Sequence, residues 1–205
     1  MLNPWLDISS DDYENHMKAV GQLQILQNEF KLSIEQHNPK TLIVLGAATG
    51  NGFQFINNKI TQKVHAIDIN PDFLKILKYR YEEAIRGLTT HICNIDESPP
   101  EISDSDLIFA ALVFEYTDIS RSVENVSKMI VRNGNLVAIL QKNSGSDFVS
   151  KSSYKSLAKL SGFSEEVDID NFIKMAGKSR LKLVSHSTID VSLGKYFVKL
   201  VFVKL

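Results

Sequence analysis

Cysteine is almost missing from this chain. Cys93 stands alone in 205 residues, so no disulfide can form within the chain and a disulfide-stapled secreted scaffold is excluded. Charge of one sign is missing too: 23 lysines and arginines face 24 aspartates and glutamates, for a net charge of -1. Charge alone therefore draws no polyanion. No apolar run reaches the roughly 18 residues that a membrane span needs. The opening MLNPWLDISSDD is acidic where a signal peptide is basic and then apolar, so the expected location is cytoplasmic. Internal repeats, low-complexity tracts and interdomain linkers are not found either. What is present is 43% hydrophobic and 23% charged residues with a mean hydropathy of -0.08, the make-up of an ordinary globular protein. At this length a chain buries roughly 70% of its unfolded surface, and one domain over residues 1–205 is expected.

The patterning alternates. Ser9, Ser10, Asp11 and Asp12 resemble a helix start, and Leu23, Leu26, Phe30 and Ile34 recur near the helical period, which predicts a helix from about Asp11 to His37. Thr41–Leu45 is a continuous apolar run ending in Gly46, as in a parallel strand buried on both faces. A second strand, Lys63–Ile67, ends at Asp68, and Asn70-Pro71 caps and opens a helix carrying Leu74, Leu77, Tyr81 and Ala84 on one face. A third strand is expected at Thr89–Asn94 and a fourth at Asp106–Leu112. A helix with Ile119, Val123, Val126 and Ile130 then stops at Asn133-Gly134, before a fifth strand at Asn135–Leu140. The fold class is α/β, a doubly wound, mostly parallel seven-stranded sheet. Residues Ser144–Ser156 are serine-rich and aperiodic, and a helix is expected near Ile169–Ala176. Leu181–Ser187 and Tyr196–Leu205 form an antiparallel hairpin around Leu193-Gly194. Tyr196, Val198, Leu200 and Phe202 alternate with Phe197, Val201 and Val203, so the last strand is apolar on both faces and belongs between the fifth and sixth strands.

The sharpest motif follows the first strand: Gly46-Ala47-Ala48-Thr49-Gly50-Asn51-Gly52. Ligands of open α/β sheets sit beyond the carboxyl ends of the strands, where glycines let the backbone come close. A nicotinamide fingerprint fails, because Ala48 and Asn51 stand where its second and third glycines belong, and no Gly-Lys-Ser/Thr completes a P-loop. The run resembles motif I of the class I S-adenosylmethionine-dependent methyltransferases, with Ala48 in place of the middle glycine. Asp68, 22 residues after Gly46, matches the acid by which that family holds both ribose hydroxyls, a task suited to two carboxylate oxygens. Asn94-Ile95 falls where the family recognises and covers adenine. Asp106–Leu112, Met129–Leu136 and the closing hairpin are similar to its later elements, which gives the Rossmann-like fold. Tyr13 with His16-Met17, Gln22, Leu112–Tyr116, Leu140-Gln141, Val149-Ser150 and Ser153-Tyr154 resemble a narrower bacterial group to which no substrate belongs.

The resemblance implies S-adenosylmethionine as cofactor, S-adenosylhomocysteine as product and no metal. Its cofactor residues here would be Gly46, Ala47, Ala48, Thr49, Gly50, Gly52, Asp68, Ile69, Asn94, Ile95 and Leu112. Glu115, Tyr116, Tyr13 and His16 are the candidates for proton handling. Glu115 and Tyr116 also read as a loop polar residue and a core aromatic, and Tyr13 and His16 as packing or capping groups. His91 and Cys93 share a strand face, but without further ligands at metal spacing they read as structural. Residues 1–38 are expected to form a helical lid and 142–167 a substrate cover, which implies a small-molecule acceptor. No Asn/Asp-Pro-Pro-Tyr/Phe follows the fourth strand, which counts against DNA. The alternatives are a noncatalytic module binding S-adenosylmethionine or S-adenosylhomocysteine and, more weakly, a nicotinamide-dependent reductase. The acceptor, the atom methylated and the oligomeric state stay open.

Overall fold

The structure is a computed structural model, and it describes residues 3–97, 99–144, 154–192 and 194–205. Seven strands form one sheet: β1 Thr41–Leu45, β2 Lys63–Asp68, β3 Leu88–Ile92, β4 Ser105–Ala111, β5 Ile130–Asn143, β6 Leu181–Ser192 and β7 Lys195–Lys204. Their order is β3-β2-β1-β4-β5-β7-β6. The first five run parallel, while β7 is antiparallel to both of its neighbours. The doubly wound sheet and the inserted last strand are thus as the sequence pattern predicts.

Among the described residues, five α-helices cover the sheet: α1 Ser10–Ala19, α2 Gln22–His37, α3 Pro71–Tyr81, α4 Ile119–Lys128 and α5 Ile169–Lys178. The alternation within each strand sorts the core into two faces. Leu42 and Val44 of β1 join Leu26 and Phe30 of α2 and Leu74 and Leu77 of α3. Ile43 and Leu45 join Val123 and Val126 of α4 and Phe172 and Ala176 of α5. In β7, Phe197 and Val201 enter the first cluster, and Val198, Leu200 and Phe202 the second. A strand with two apolar faces needs cover on both, so β7 lies inside and the largely exposed β6 takes the edge.

Several boundaries differ from the sequence reading. The expected helix 11–37 is two helices, because Gly21 turns the chain at φ +74°. Helix α3 ends at Tyr81, so Ala84 is exposed and Ile85 takes the buried place. Ile130 starts β5 instead of ending α4, and Asn133-Gly134 lies within that strand as an irregularity against Ser105 and Leu107. Strand β3 stops at Ile92 rather than Asn94, and β6 runs on to Ser192. The cover segment is less irregular than expected: β5 continues to Asn143 and a 3-10 helix spans Lys155–Gly162. Val149, Ser150, Ser153 and Leu193 lie outside the described residues.

Candidate functional site

A cleft opens at the carboxyl ends of β1, β2, β4 and β5, with an empty volume of about 1160 Å³ counted out to its mouth. Gly46 leaves β1 at φ +67° and lines it; a Cβ there would come 2.4 Å from Val113 Cγ2. Ala48 follows in the left-handed region at φ +45°, a conformation that an L side chain adopts only at a cost. That twist turns the Ala48 N–H onto Asp68 Oδ2 at 2.8 Å, and the Asn70 N–H donates to Oδ1 at 2.9 Å. Each Asp68 oxygen thus holds one backbone donor and keeps lone-pair capacity toward the cleft. Burial raises the Asp68 carboxyl above its ordinary range, opposed by these backbone donors.

The other two glycines of the motif do different work. A Cβ on Gly50 would lie 2.6 Å from Tyr81 Cε2, and one on Gly52 2.8 Å from Phe30 Cδ1. Both make room for the protein's own rings, and neither lines the cleft. Ala47 and Thr49 are buried away from it as well. The Ala47 N–H donates to the Ile67 carbonyl at 3.1 Å and the Thr49 hydroxyl donates to Glu14. Ile69, Asn94, Ile95 and Leu112 do line it. Asn94 closes its own turn, its Oδ1 accepting from the Asp96 N–H at 3.2 Å and its amide donating to Glu97 Oε1 at 3.1 Å. Leu112 has φ +56°, with its N–H on the Ile139 carbonyl at 2.9 Å. A branched residue held there stores on the order of 1–3 kcal/mol, a kind of strain that clusters where ligands bind.

All four proton-handling candidates, Tyr13, His16, Glu115 and Tyr116, line the same cleft. They differ in chemistry. Burial pushes both tyrosine hydroxyls up, with Asp68 and Glu14 adding to the effect on Tyr13 and Glu115 to that on Tyr116. They therefore stay protonated as donors and walls. Burial, with Lys195 nearby, pushes the His16 imidazolium down, so His16 is neutral at neutral pH. Glu115 is 2% exposed. Its Oε1 accepts the Gln141 N–H at 2.7 Å, while its buried Oε2 has no hydrogen-bond partner among the described residues. Burial pushes this carboxyl up to about 7, opposed by the Gln141 N–H, its own N–H and the Lys142 charge. Of the four, Glu115 can both take and return a proton near neutral pH.

Further lining comes from the N-terminal residues and from the 3-10 helix that follows β5. Asn70, two residues after Asp68, donates its side-chain amide to the Trp5 carbonyl at 2.8 Å. The Trp5 ring meets Tyr116 edge-on at 5.1 Å between centroids, and Tyr13 lies 5.3 Å from Phe73. Glu14 on α1 pairs with Arg80 on α3 as well as with Thr49. Leu157 and Leu160 of the 3-10 helix pack with Ile8, Ala48 and Phe73, and Ser156 donates to Asp12. Gln22 donates to Gln141 Oε1 at 2.9 Å, across 119 positions of sequence. These partners, from Trp5 to Leu160, carry no local motif, which is why sequence reasoning did not pair them. His91, expected to share a face with Cys93, meets His65 instead, Nε2 to Nδ1 at 3.1 Å, and no cluster of three metal-ligating side chains occurs among the described residues.

Known proteins bear on this cleft in two ways. Residues 43–136 match the family model of a methyltransferase domain. No curated relative matches the sequence. Among solved structures, magnesium protoporphyrin IX methyltransferase from Synechocystis PCC 6803 with bound S-adenosylhomocysteine aligns at a TM-score of 0.70, with 10% identity, over 95% of this chain and 94% of that one. Geranyl diphosphate C-methyltransferase from Streptomyces coelicolor A3(2), in complex with Mg2+, geranyl diphosphate and S-adenosylhomocysteine, aligns at 0.70 with 13% identity, over 94% and 82%. An S-adenosylmethionine-dependent methyltransferase from Mesorhizobium loti aligns at 0.65 with 13% identity, over 80% and 90%. At such identities the likeness speaks for the fold.

Proposed function

We propose, for a chain whose residues 43–136 match the family model of a methyltransferase domain, that it transfers a methyl group from S-adenosylmethionine to a small-molecule acceptor. The observation that carries the reading is one cleft lined by Gly46 and Asp68 and also by Glu115, whose buried Oε2 has no hydrogen-bond partner among the described residues. Gly46, Ala48, Asp68, Ile69, Asn94, Ile95 and Leu112 hold the cofactor in this reading. The residues fit it, since Gly46 has no side chain at the β1 exit and Asp68 offers two oxygens for two hydroxyls. When bound, S-adenosylmethionine supplies a methyl group activated by a sulfonium. The chain's own task is then to align the acceptor and keep water out, worth as much as roughly 7–11 kcal/mol.

Residues 1–38 act as the lid and 142–167 as the substrate cover. The support is that Tyr13, His16 and Met17 from one, and Leu157 and Leu160 from the other, line the cleft opposite the sheet. A cleft closed from two sides takes a small molecule more readily than a folded polymer. The neighbours' own acceptors, geranyl diphosphate and magnesium protoporphyrin IX, are small molecules too. A bacterial source and a cytoplasmic setting accompany this reading, and no described helix is long and apolar enough to cross a membrane. A noncatalytic binding module would do without an acceptor group, and here the cleft lining includes the buried carboxylate of Glu115. Calorimetry tests the reading: both sulfur compounds are expected to bind at one site and NADH not to bind. Tight NADH binding with neither sulfur compound bound would overturn it.

A further inference from the structure

The charges around the cleft point to the kind of acceptor it takes. Two carboxylates line it, Asp68 and Glu115, and no lysine or arginine does so among the described residues. Asp68 is held by backbone donors on both oxygens. Glu115 is held on one side only, and its buried Oε2 reaches no donor. A buried acceptor without a donor is costly, so the missing donor belongs to whatever fills the cleft. From this we infer that the acceptor is a small amine with an apolar body, arriving as an ammonium that donates to Glu115 Oε2; the inference rests on the methyltransferase reading above.

Three classes of acceptor present an X–H group to that oxygen, and the chemistry separates them. An aliphatic hydroxyl has an acidity near that of water, pKa about 15.7, and a carboxylate titrating at about 7 is far too weak a base for it. An alkylammonium resembles a lysine, pKa about 10.4, and a phenol resembles a tyrosine, about 10, so both lie within reach. Taking a proton from a phenol leaves an anion in the cleft. Taking one from an ammonium by a carboxylate leaves two neutral groups, which the apolar walls of Met17, Leu26, Leu157 and Leu160 favour. Anionic acceptors would meet two carboxylates in a cleft that no lysine or arginine lines among the described residues.

The step then balances. The ammonium N–H bond breaks with its proton going to Glu115 Oε2. The freed lone pair on nitrogen forms the N–C bond as the S–C bond breaks, its electron pair staying on sulfur. The product is a methylated ammonium, S-adenosylhomocysteine and a protonated Glu115, which returns its proton to solvent when the cleft opens. The groups that act on Glu115 are Lys142 on β5, itself paired with Glu166 at 2.6 Å, and the adjoining Tyr116; His16 lines the same cleft from α1.

The experiment is calorimetry on the full chain saturated with S-adenosylhomocysteine, titrated with benzylamine, benzyl alcohol, p-cresol and benzoate. Benzylamine is expected to bind about tenfold to hundredfold more tightly than each of the others, the range of one charge-assisted hydrogen bond. In two buffers of different ionisation enthalpy, its binding at pH 7 should release about half a proton, because only the ionised Glu115 receives an ammonium and the group is half protonated there. The release should rise toward one proton at pH 6 and vanish by pH 8.5. Glu115→Gln should abolish both the preference and the release while S-adenosylhomocysteine still binds. Equal binding of the amine and the alcohol, tighter binding of p-cresol or benzoate, binding of none of the four at millimolar concentration, or proton release that ignores pH would each overturn the inference. If S-adenosylhomocysteine itself fails to bind, the methyltransferase reading falls instead, which separates the two failures.

Discussion

The two carboxylates of the cleft are built to opposite plans. Asp68 ends a strand beside a turn, and two backbone N–H groups, from Ala48 and Asn70, fix both of its oxygens before any ligand arrives. Glu115 sits in a short 3-10 helix after β4, with one oxygen on the Gln141 N–H and the other buried without a partner among the described residues. The first arrangement holds a geometry, with both oxygens fixed by backbone donors. The second leaves a vacancy in hydrogen bonding and a carboxyl that titrates near 7. In the proposed reading, binding falls to one of these carboxylates and proton handling to the other, beneath side chains drawn from residues remote from both.

Removing the N-terminal residues tests that division most severely. Deletion of residues 1–20 takes away Trp5, Tyr13, His16 and Met17, all of which line the cleft. Turnover should be lost altogether and cofactor binding weakened. The sheet, which begins at Thr41, should keep its circular dichroism. Unchanged affinity with native-like structure would mean that this segment is no lid.

Glu115→Gln should act on stability in a pH-dependent way. The folded carboxyl titrates at about 7 against an ordinary 4.5, so between those values the folded state binds more protons than the unfolded one. Stability therefore falls as pH rises through that window. Above pH 7 the ionised Glu115 costs about 3 kcal/mol, from 1.36 kcal/mol per pH unit. The variant should be more stable than the parent at pH 8 and about equal at pH 4. Thermal melts at the two pH values measure this, and a variant that is less stable at pH 8 would remove the argument for a costly buried charge.

Asp68→Ala should raise the dissociation constants of S-adenosylmethionine and S-adenosylhomocysteine together by about tenfold to hundredfold. Loss of one ligand without the other would show that Asp68 does not hold their shared part. The smallest effect is expected at Ala48. Glycine there relaxes a left-handed residue, worth up to about 1 kcal/mol, but gives up a buried methyl of about 0.8 kcal/mol. Ala48→Gly should shift the melting temperature by less than about 2 °C. A larger loss would mean that the methyl, packed with Phe73 and Leu157, matters more than the strain.

How much of this was legible in the sequence follows from distance along the chain. Asp68 and Gly46 announce themselves, because a strand, a glycine turn and an acid at the next strand end are local patterns read at fixed spacing. Even there the reading stopped short. Gly50 and Gly52 show in sequence only as glycines, and the rings that require them, Tyr81 and Phe30, come from helices on either side of the motif. Glu115 and Tyr116 could be suspected from their place past β4, but the unpaired oxygen of Glu115 could not, since it depends on Gln141 supplying one N–H and on no described side chain reaching the other oxygen.

Hydrophobic period and turn chemistry, properties of neighbouring residues, determined by themselves the seven strands, the buried place of the last one and the cofactor edge of the sheet. They misjudged the breaks at Gly21 and Asn133-Gly134, where a single backbone torsion overrides the period. Only the tertiary structure decided what stands over the cleft. Gln22 meets Gln141, Glu14 meets Arg80 and Ser156 meets Asp12 because packing brings elements tens of residues or more apart to one edge of the sheet. No spacing rule spans such gaps, and the electrostatics of Glu115, set by burial, exists only once the chain has closed around it.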